Sequence, residues 1–313
     1  MERIIIPGAA GLVGQNLIIQ LKEAGYTDII AIDKHPTNTA ILKKLHPDIT
    51  VLESDLVKDT DWLEYLTQDA IMIMLQAQIG SKEAGDFVQN NIVSTEKVLA
   101  RAKTIGLKYI VHISSSVVES VADDNYTETK KQQEALVVKS GIPYCILRPT
   151  LMFGWFDRKH LGWLSRFMKR VPVFPIPGNG KYMRQPLYVL DFCRIIVSSI
   201  SSKSKRPENQ TYNITGREEV DYIDIIRGIK KATDSKTWII KIPYWLFWIL
   251  LKTYAVFNKN PPFTVEQLKA LLGGDEFELI PWWEIFEVES TGFKQAIDET
   301  FNHPTYSKII LDF

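Results

Sequence analysis

The chain has 313 residues, 45% of them hydrophobic, and its 37 Lys and Arg are balanced by 37 Asp and Glu. That length suits one large domain or a domain with an appendage, and the even charge excludes nucleic acid as a partner recruited by global charge. Its two cysteines, Cys145 and Cys193, form no Cys-x-x-Cys spacing, which excludes a disulfide framework and points to a reducing cytoplasm. The opening stretch MERIIIPGAAG meets glycine too early for a signal peptide.

In chain order, RIIIPG (3–8) is an apolar run ending in glycine, and 12–24 has a helical period. DIIAID (28–33), ITVLESD (49–55), AIMIML (70–75), KYIVHIS (108–114) and PYCILRP (143–149) repeat the apolar run, with a long helix expected over about 83–105. Near-continuous apolar strands alternating with helices predict an α/β fold, a Rossmann-type doubly wound parallel sheet. Past residue 150 the rhythm breaks: 172–180 (PVFPIPGNG) is expected as loop and 185–192 as a short strand entering a helix. Separate helices are expected at 221–232, 264–272 and 292–301. The expected division is a cofactor-binding domain over 1–155, its sheet completed near 185–215, and a smaller, mostly helical C-terminal lobe over 156–313 interleaved with it.

One stretch stands apart, IPYWLFWILL (242–251) between Lys241 and Lys252. Ten residues cannot span a ~30 Å hydrocarbon layer. It reads as a buried or partner-facing helix, with peripheral membrane contact at headgroup depth as the alternative.

The first chemical signal is Gly8-Ala9-Ala10-Gly11-Leu12-Val13-Gly14, a GxxGxxG that follows a strand and opens a helix. Glycines there allow a sharp turn and close backbone approach to a pyrophosphate, held by amides and the positive helix end. Asp33 ends the second strand, where a carboxylate binds adenosine ribose hydroxyls and repels a 2′-phosphate. NAD is therefore the expected cofactor, with NADP left open by the adjacent Lys34 and His35. Asp55 after the third strand reads equally as an adenine contact or as a helix N-cap.

The second signal is Tyr126 and Lys130, an i, i+4 pair that shares a helix face. A cation beside a phenol lowers its pKa, so Tyr126 is the expected proton shuttle with Lys130 beside it. Ser114, Ser115 and Ser116 end the fifth strand, where open α/β sheets bind ligands. Ser116 is expected to hold the substrate oxygen. The five histidines are scattered without metal-ligand spacing, and there is neither a GxSxG elbow nor a Walker lysine. Arg158-Lys159-His160 reads as a solvated charge cluster, with a phosphate contact as the alternative.

Taken together, Gly8, Gly11, Gly14, Asp33, Asp55, Asn91, the "ISSS" serines, YTETK and LRPTLMFG stand in an order that resembles the short-chain dehydrogenase/reductase superfamily. The likeness is narrower for its extended branch, the nucleotide-sugar epimerase/dehydratase group, and it covers residues 1 to about 200. The resemblance implies Ser116, Tyr126 and Lys130 as the catalytic set. It implies cofactor contacts from Gly8, Gly11, Leu12, Val13, Gly14, Asp33, Asp55, Leu56, Gln76, Ala77, Asn91, Ser114, Tyr126, Lys130 and Pro149. Asn91 reads equally as a structural residue. Arg184, seven residues before Asp191, is implied as a substrate-diphosphate contact, with a surface ion pair as its other reading. A homodimer is implied by analogy only.

Four departures qualify the likeness. Val117 and Val118 stand where dehydratases of the group carry an acidic pair, so water elimination is not expected. The stretch between Ser116 and Tyr126 is short, as in the superfamily's atypical branch. Pro7 replaces a usual Thr, and MLQAQIG (74–80) replaces the usual histidine-alanine stretch. The expected function is an oxidoreductase or 4-epimerase acting on a secondary alcohol or ketone of a nucleotide-linked sugar. A hydroxysteroid-type dehydrogenase and a non-catalytic NAD-binding sensor are the alternatives.

Overall fold

The computed structural model describes residues 2–120, 124–201, 206–257, 268 and 277–312, with 254–257 by backbone alone. Six strands alternate with helices in the first half. They are β1 (Ile4–Pro7), β2 (Ile29–Asp33), β3 (Thr50–Glu53), β4 (Ile71–Met74), β5 (Tyr109–Ile113) and β6 (Tyr144–Pro149). The helices between them are α1 (Leu12–Glu23), α2 (Pro36–Leu45), α3 (Ala84–Phe87), α4 (Ser94–Thr104) and α5 (Asn125–Lys139). There follow β7 (Met152–Phe153), α6 (Leu161–Met168), β8 (Val173–Pro177), β9 (Met183–Arg184), β10 (Leu187–Tyr188) and α7 (Val189–Ile200). The rest comprises β11 (Gln210–Ile214), β12 (Val220–Asp221), α8 (Tyr222–Ala232), β13 (Trp238–Ile242), α9 (Tyr244–Phe257) and helices Trp282–Ile285 and Phe293–Asn302.

The main sheet is seven-stranded and wholly parallel, in the order β11-β6-β5-β4-β1-β2-β3. Central strands β1, β4 and β5 are buried along their whole length, which is why their sequences read as continuous apolar runs. The order reverses between β1 and β4, the switch point outside whose carboxyl ends open α/β sheets form a ligand crevice. One apolar cluster packs α1 and α7 on one face, and a second, with Trp62, Val98 and Val137, fills the other.

Residues 172–180, expected as loop, instead carry β8, paired in parallel with β13. The reason lies in the parity of its prolines. Gly178 donates its N–H to the Ile242 carbonyl, so Phe174 and Ile176 also face β13. Pro175 and Pro177 point to the open edge, where no donor is needed. The long helix expected over 83–105 is interrupted by a π-helical segment, Val88–Val93. The helix expected over 264–272 lies outside the described residues except for Leu268. Among the described residues no helix is long and apolar enough to cross a membrane.

Candidate active site

The glycine turn has the geometry its sequence requires. Gly8 has φ +81°, and a β-carbon there would lie 2.5 Å from the Gln76 nitrogen, so the turn presses on the backbone following β4. At Gly14 a β-carbon would meet the Ala9 carbonyl oxygen at 2.2 Å, which fixes close packing of α1 on the turn. Gly11 occupies the N-cap of α1 without any side-chain cap, leaving the first amides of the helix to face an anion. Asp33 accepts from the Ala10 amide at 2.9 Å and the His35 amide at 3.0 Å, so it braces the turn while bordering the crevice. Burial raises its pKa despite those hydrogen bonds. Lys34 is engaged by Asn90 and lies 3.8 Å from Asp55.

Asp55 caps a turn rather than the expected helix over 57–66: it accepts from the Val57 amide at 2.8 Å, and the helix there is a 3-10 turn over Asp61–Tyr65. Leu56 is buried beside it. Beyond β4, Gln76 is buried with its carbonyl oxygen unpartnered, and Ala77 is exposed. Ser114, at the end of β5, also has a buried hydroxyl without a partner. Two orphaned polar groups at adjacent strand ends, next to a turn where no β-carbon fits, suit a polar ligand as large as a dinucleotide. The residues present therefore fit NAD.

Tyr126 begins α5, whose N-cap Asp124 accepts the Thr127 amide at 2.9 Å. The side chain of Ser115 acts on the Tyr126 phenol as a hydrogen-bonding group that lowers its pKa. Ser116 is buried one position further on, where a 3-10 turn begins. Lys130 is fully buried, donating to the Ile113 carbonyl at 2.9 Å and to Gln133 Oε1 at 2.8 Å. Burial lowers its pKa to about 7, against the pull of Glu134. Two acceptors are what a neutral amine, with two N–H bonds, can satisfy.

The expected lowering of the phenol is therefore not found. Burial raises the Tyr126 pKa, the Ser115 hydrogen bond opposes this and Asp124 adds to it. Placement on one helix face was right, but the Ile113 carbonyl draws the amine inward. Burial lowers the pKa of His112, fully buried on β5, and Lys130 adds to this whenever its amine is protonated.

Asn91 lies in the π-helical segment and ties the site together. Its Oδ1 accepts the Gln78 amide at 2.6 Å, while its Nδ2 donates to Thr129 Oγ1 at 2.9 Å and the Gln78 carbonyl at 3.2 Å. It thus bolts the loop after β4 to α5. Sequence reasoning missed Ser115, Thr129, Gln133 and Gln78. Thr129 and Gln133 were findable, each three residues beyond a singled-out residue on the same helix. Arg184 lies on β9, opposite Val220 in a strand pair apart from the main sheet, with its charge close to Tyr222. Pro149 ends β6, and Leu12 and Val13 open α1. Arg158 pairs with Asp312 at 2.9 Å, consistent with its reading as a surface charge. No group of three or more metal-ligating side chains occurs among the described residues.

Known proteins resemble this arrangement over most of the chain. The UDP-glucose 4-epimerase of Vibrio cholerae is 22% identical over 279 residues, covering 81% of this chain and 82% of that protein. A 3 beta-hydroxysteroid dehydrogenase/Delta 5-->4-isomerase of Mycobacterium tuberculosis is 26% identical over 268 residues, 75% of this chain and 70% of its own. Among solved structures, the UDP-glucuronic acid 4-epimerase of Bacillus cereus in complex with NAD superposes with a TM-score of 0.67 at 26% identity, covering 77% of this chain and 88% of that one. The UDP-glucose 4-epimerase of Thermotoga maritima shares the fold with a TM-score of 0.73 at 17% identity over 95% and 97% of the two chains. The family model described as the NAD dependent epimerase/dehydratase family matches residues 4–215, and the chain belongs to that family of enzymes.

Proposed function

We propose that the protein catalyses NAD-linked epimerisation or reduction at a secondary alcohol or ketone of a nucleotide-linked sugar. The observation that carries this reading is fully buried Lys130, tied to the Ile113 carbonyl at the end of β5 and one helical turn from Tyr126 on α5, separated from the glycine turn only by the end of β4. Bound NAD supplies a hydride acceptor and donor, and a positive ring charge in its oxidised form. The uncapped amides of α1 hold the diphosphate, and Asp33 holds the adenosine ribose. Tyr126 passes a proton to or from the substrate oxygen, oriented by the serine hydroxyls at 115 and 116. Its raised pKa makes it a competent acid at neutral pH, and it acts as a base only when further positive charge enters the cleft. Val117 and Val118 offer no acid or base, which favours epimerisation or reduction over dehydration.

A second reading, oxidation of an apolar alcohol, draws on the mycobacterial hydroxysteroid relative and the aromatic C-terminal segments. One assay separates them. Wild type and Arg184→Ala are given NAD with UDP- and dTDP-hexoses, their 4-keto forms and a sterol panel. The proposal expects turnover on a nucleotide sugar and a KM raised about tenfold or more in Arg184→Ala, the loss of a charge-assisted bidentate contact. Turnover confined to sterols, unaffected by Arg184→Ala, favours the second reading.

A further inference from the structure

Helix α9 breaks the rule that apolar side chains are covered. Its first eight residues, YWLFWILL, are all apolar, yet none of its described side chains (244–253) is buried. Trp245 is 62% exposed, and Trp248, Ile249 and Leu250 are also exposed. The helix lies against β8, and the neighbouring ribbon adds Val173, Ile240 and Trp238, the last 74% exposed. Trp238 and Ile240 point to one face of β13, opposite Val173 and Pro175 in the register. The three tryptophans alone, 74%, 62% and 37% exposed, leave on the order of 300 Å² uncovered at about 150–250 Å² per side chain, before the aliphatic neighbours are added. A typical monomer's largest patch is about 300–600 Å².

We propose that this surface docks on the interfacial layer of an anionic lipid bilayer. Three observations select the bilayer over a second copy of the chain. The helix is apolar all round, whereas a protein partner covers one face and leaves the other to water. Its exposed residues include Tyr244, Trp245, Trp248 and Lys252, types that settle at headgroup depth, beside Ile249 and Leu250, and the Lys252 ammonium sits 5.0 Å over the Trp248 ring. The surrounding charge is one-signed: residues 235–257 hold Lys236, Lys241 and Lys252 with no carboxylate, and 169–177 hold Lys169 and Arg170 with none. Among the described residues Lys236 is the one of these with an acidic partner, the exposed Asp234 at 2.9 Å. Lys241 alternates to the face of β13 opposite Trp238 and Ile240, so the basic residues flank the apolar patch, and in a chain whose charges balance overall such basic flanks match anionic headgroups. At 14 residues α9 is about 21 Å long, too short to span but able to lie in the plane of the interface.

Co-sedimentation of the full chain with phosphatidylcholine vesicles, with and without phosphatidylglycerol, tests this directly. Wild type is expected in the pellet with the anionic vesicles, with its tryptophan fluorescence quenched by brominated lipid. Lys241→Glu/Lys252→Glu is expected to bind about tenfold more weakly or worse. Trp245→Asp/Trp248→Asp should abolish binding without lowering the melting temperature, since both side chains already face out. Wild type remaining in the supernatant with both vesicle types overturns the proposal. So does light scattering that shows a wild-type dimer, made monomeric by Trp245→Asp/Trp248→Asp, with no vesicle binding. Neither result bears on the NAD site, which is assayed separately.

Discussion

Lys130 is a fully buried amine in the candidate site. Its native pKa of about 7 lies below the ordinary 10.5, so between those values the unfolded chain holds a proton that the native chain does not. Native stability from this residue is fully present above about 10.5 and is lost as pH falls through about 7. The stability of wild type relative to Lys130→Met should therefore rise between pH 7 and 10, by at most about 1.4 kcal/mol per pH unit. Thermal melts across that window check it, and a difference that stays flat contradicts the burial of a titrating amine. What the sequence could say about this residue was its helix face. It could not say that the Ile113 carbonyl would take the amine, because that contact depends on where β5 ends relative to α5. The same limit explains Ser115: three consecutive serines are indistinguishable until the backbone sets which hydroxyl meets the phenol. Gly8 and Asp33 were legible because turn geometry and strand-end position are local properties.

At the scale of elements, α5 is held in place by a clamp. Arg148 on β6 gives Glu134 two parallel hydrogen bonds, at 2.9 and 2.7 Å, and gives Glu119 a third at 2.8 Å. The Glu134 side chain is only 12% exposed, so this pair is shielded far better than a surface ion pair. Arg148→Ala would strand a carboxylate and is expected to cost about 3–5 kcal/mol, read as a lower urea midpoint at unchanged slope. A loss under about 1 kcal/mol would show that the clamp is ornamental. The π-helical segment at Val88–Val93 is the second device, since the extra residue in its turn lets Asn91 reach both Gln78 and Thr129. Nothing in NNIVSTEKV marks that insertion by composition. The strand at 173–177 was likewise hidden: three prolines in 172–177 read as loop, and only its pairing with β13 reveals that two of them sit on the open edge.

Across the whole molecule, the alternation of strands and helices through Pro149 made the sheet legible, because buried parallel strands must be apolar on both faces. Its seventh strand, β11, returns from after α7 and pairs with β6. How the C-terminal segments dock was not legible, since it rests on single side chains far apart in sequence. Asp191, a sequence marker beside Arg184, accepts the Thr291 amide at 2.9 Å and its hydroxyl at 2.6 Å, while Arg194 pairs with it at 3.0 Å. Trp282 is fully buried and donates to the Thr215 carbonyl at 2.9 Å. At the far end, Asn38 on α2 exchanges two hydrogen bonds with the Asp312 backbone. These contacts make the C-terminal segments part of one folding unit with the sheet. Trp282→Ala should then cost about 3–5 kcal/mol and lower a single cooperative transition. A separate low-temperature step would show independent unfolding instead.

The central claim is that the phenol of Tyr126 moves the proton while NAD sits in the crevice between β1 and β4. Stopped-flow turnover of wild type and Tyr126→Phe, each first shown to bind NAD by titration, tests it most directly. Equal NAD affinity is expected, with a rate on the accepted nucleotide sugar lowered by about 10²–10⁴ in the variant. Equal rates in the two proteins would contradict it.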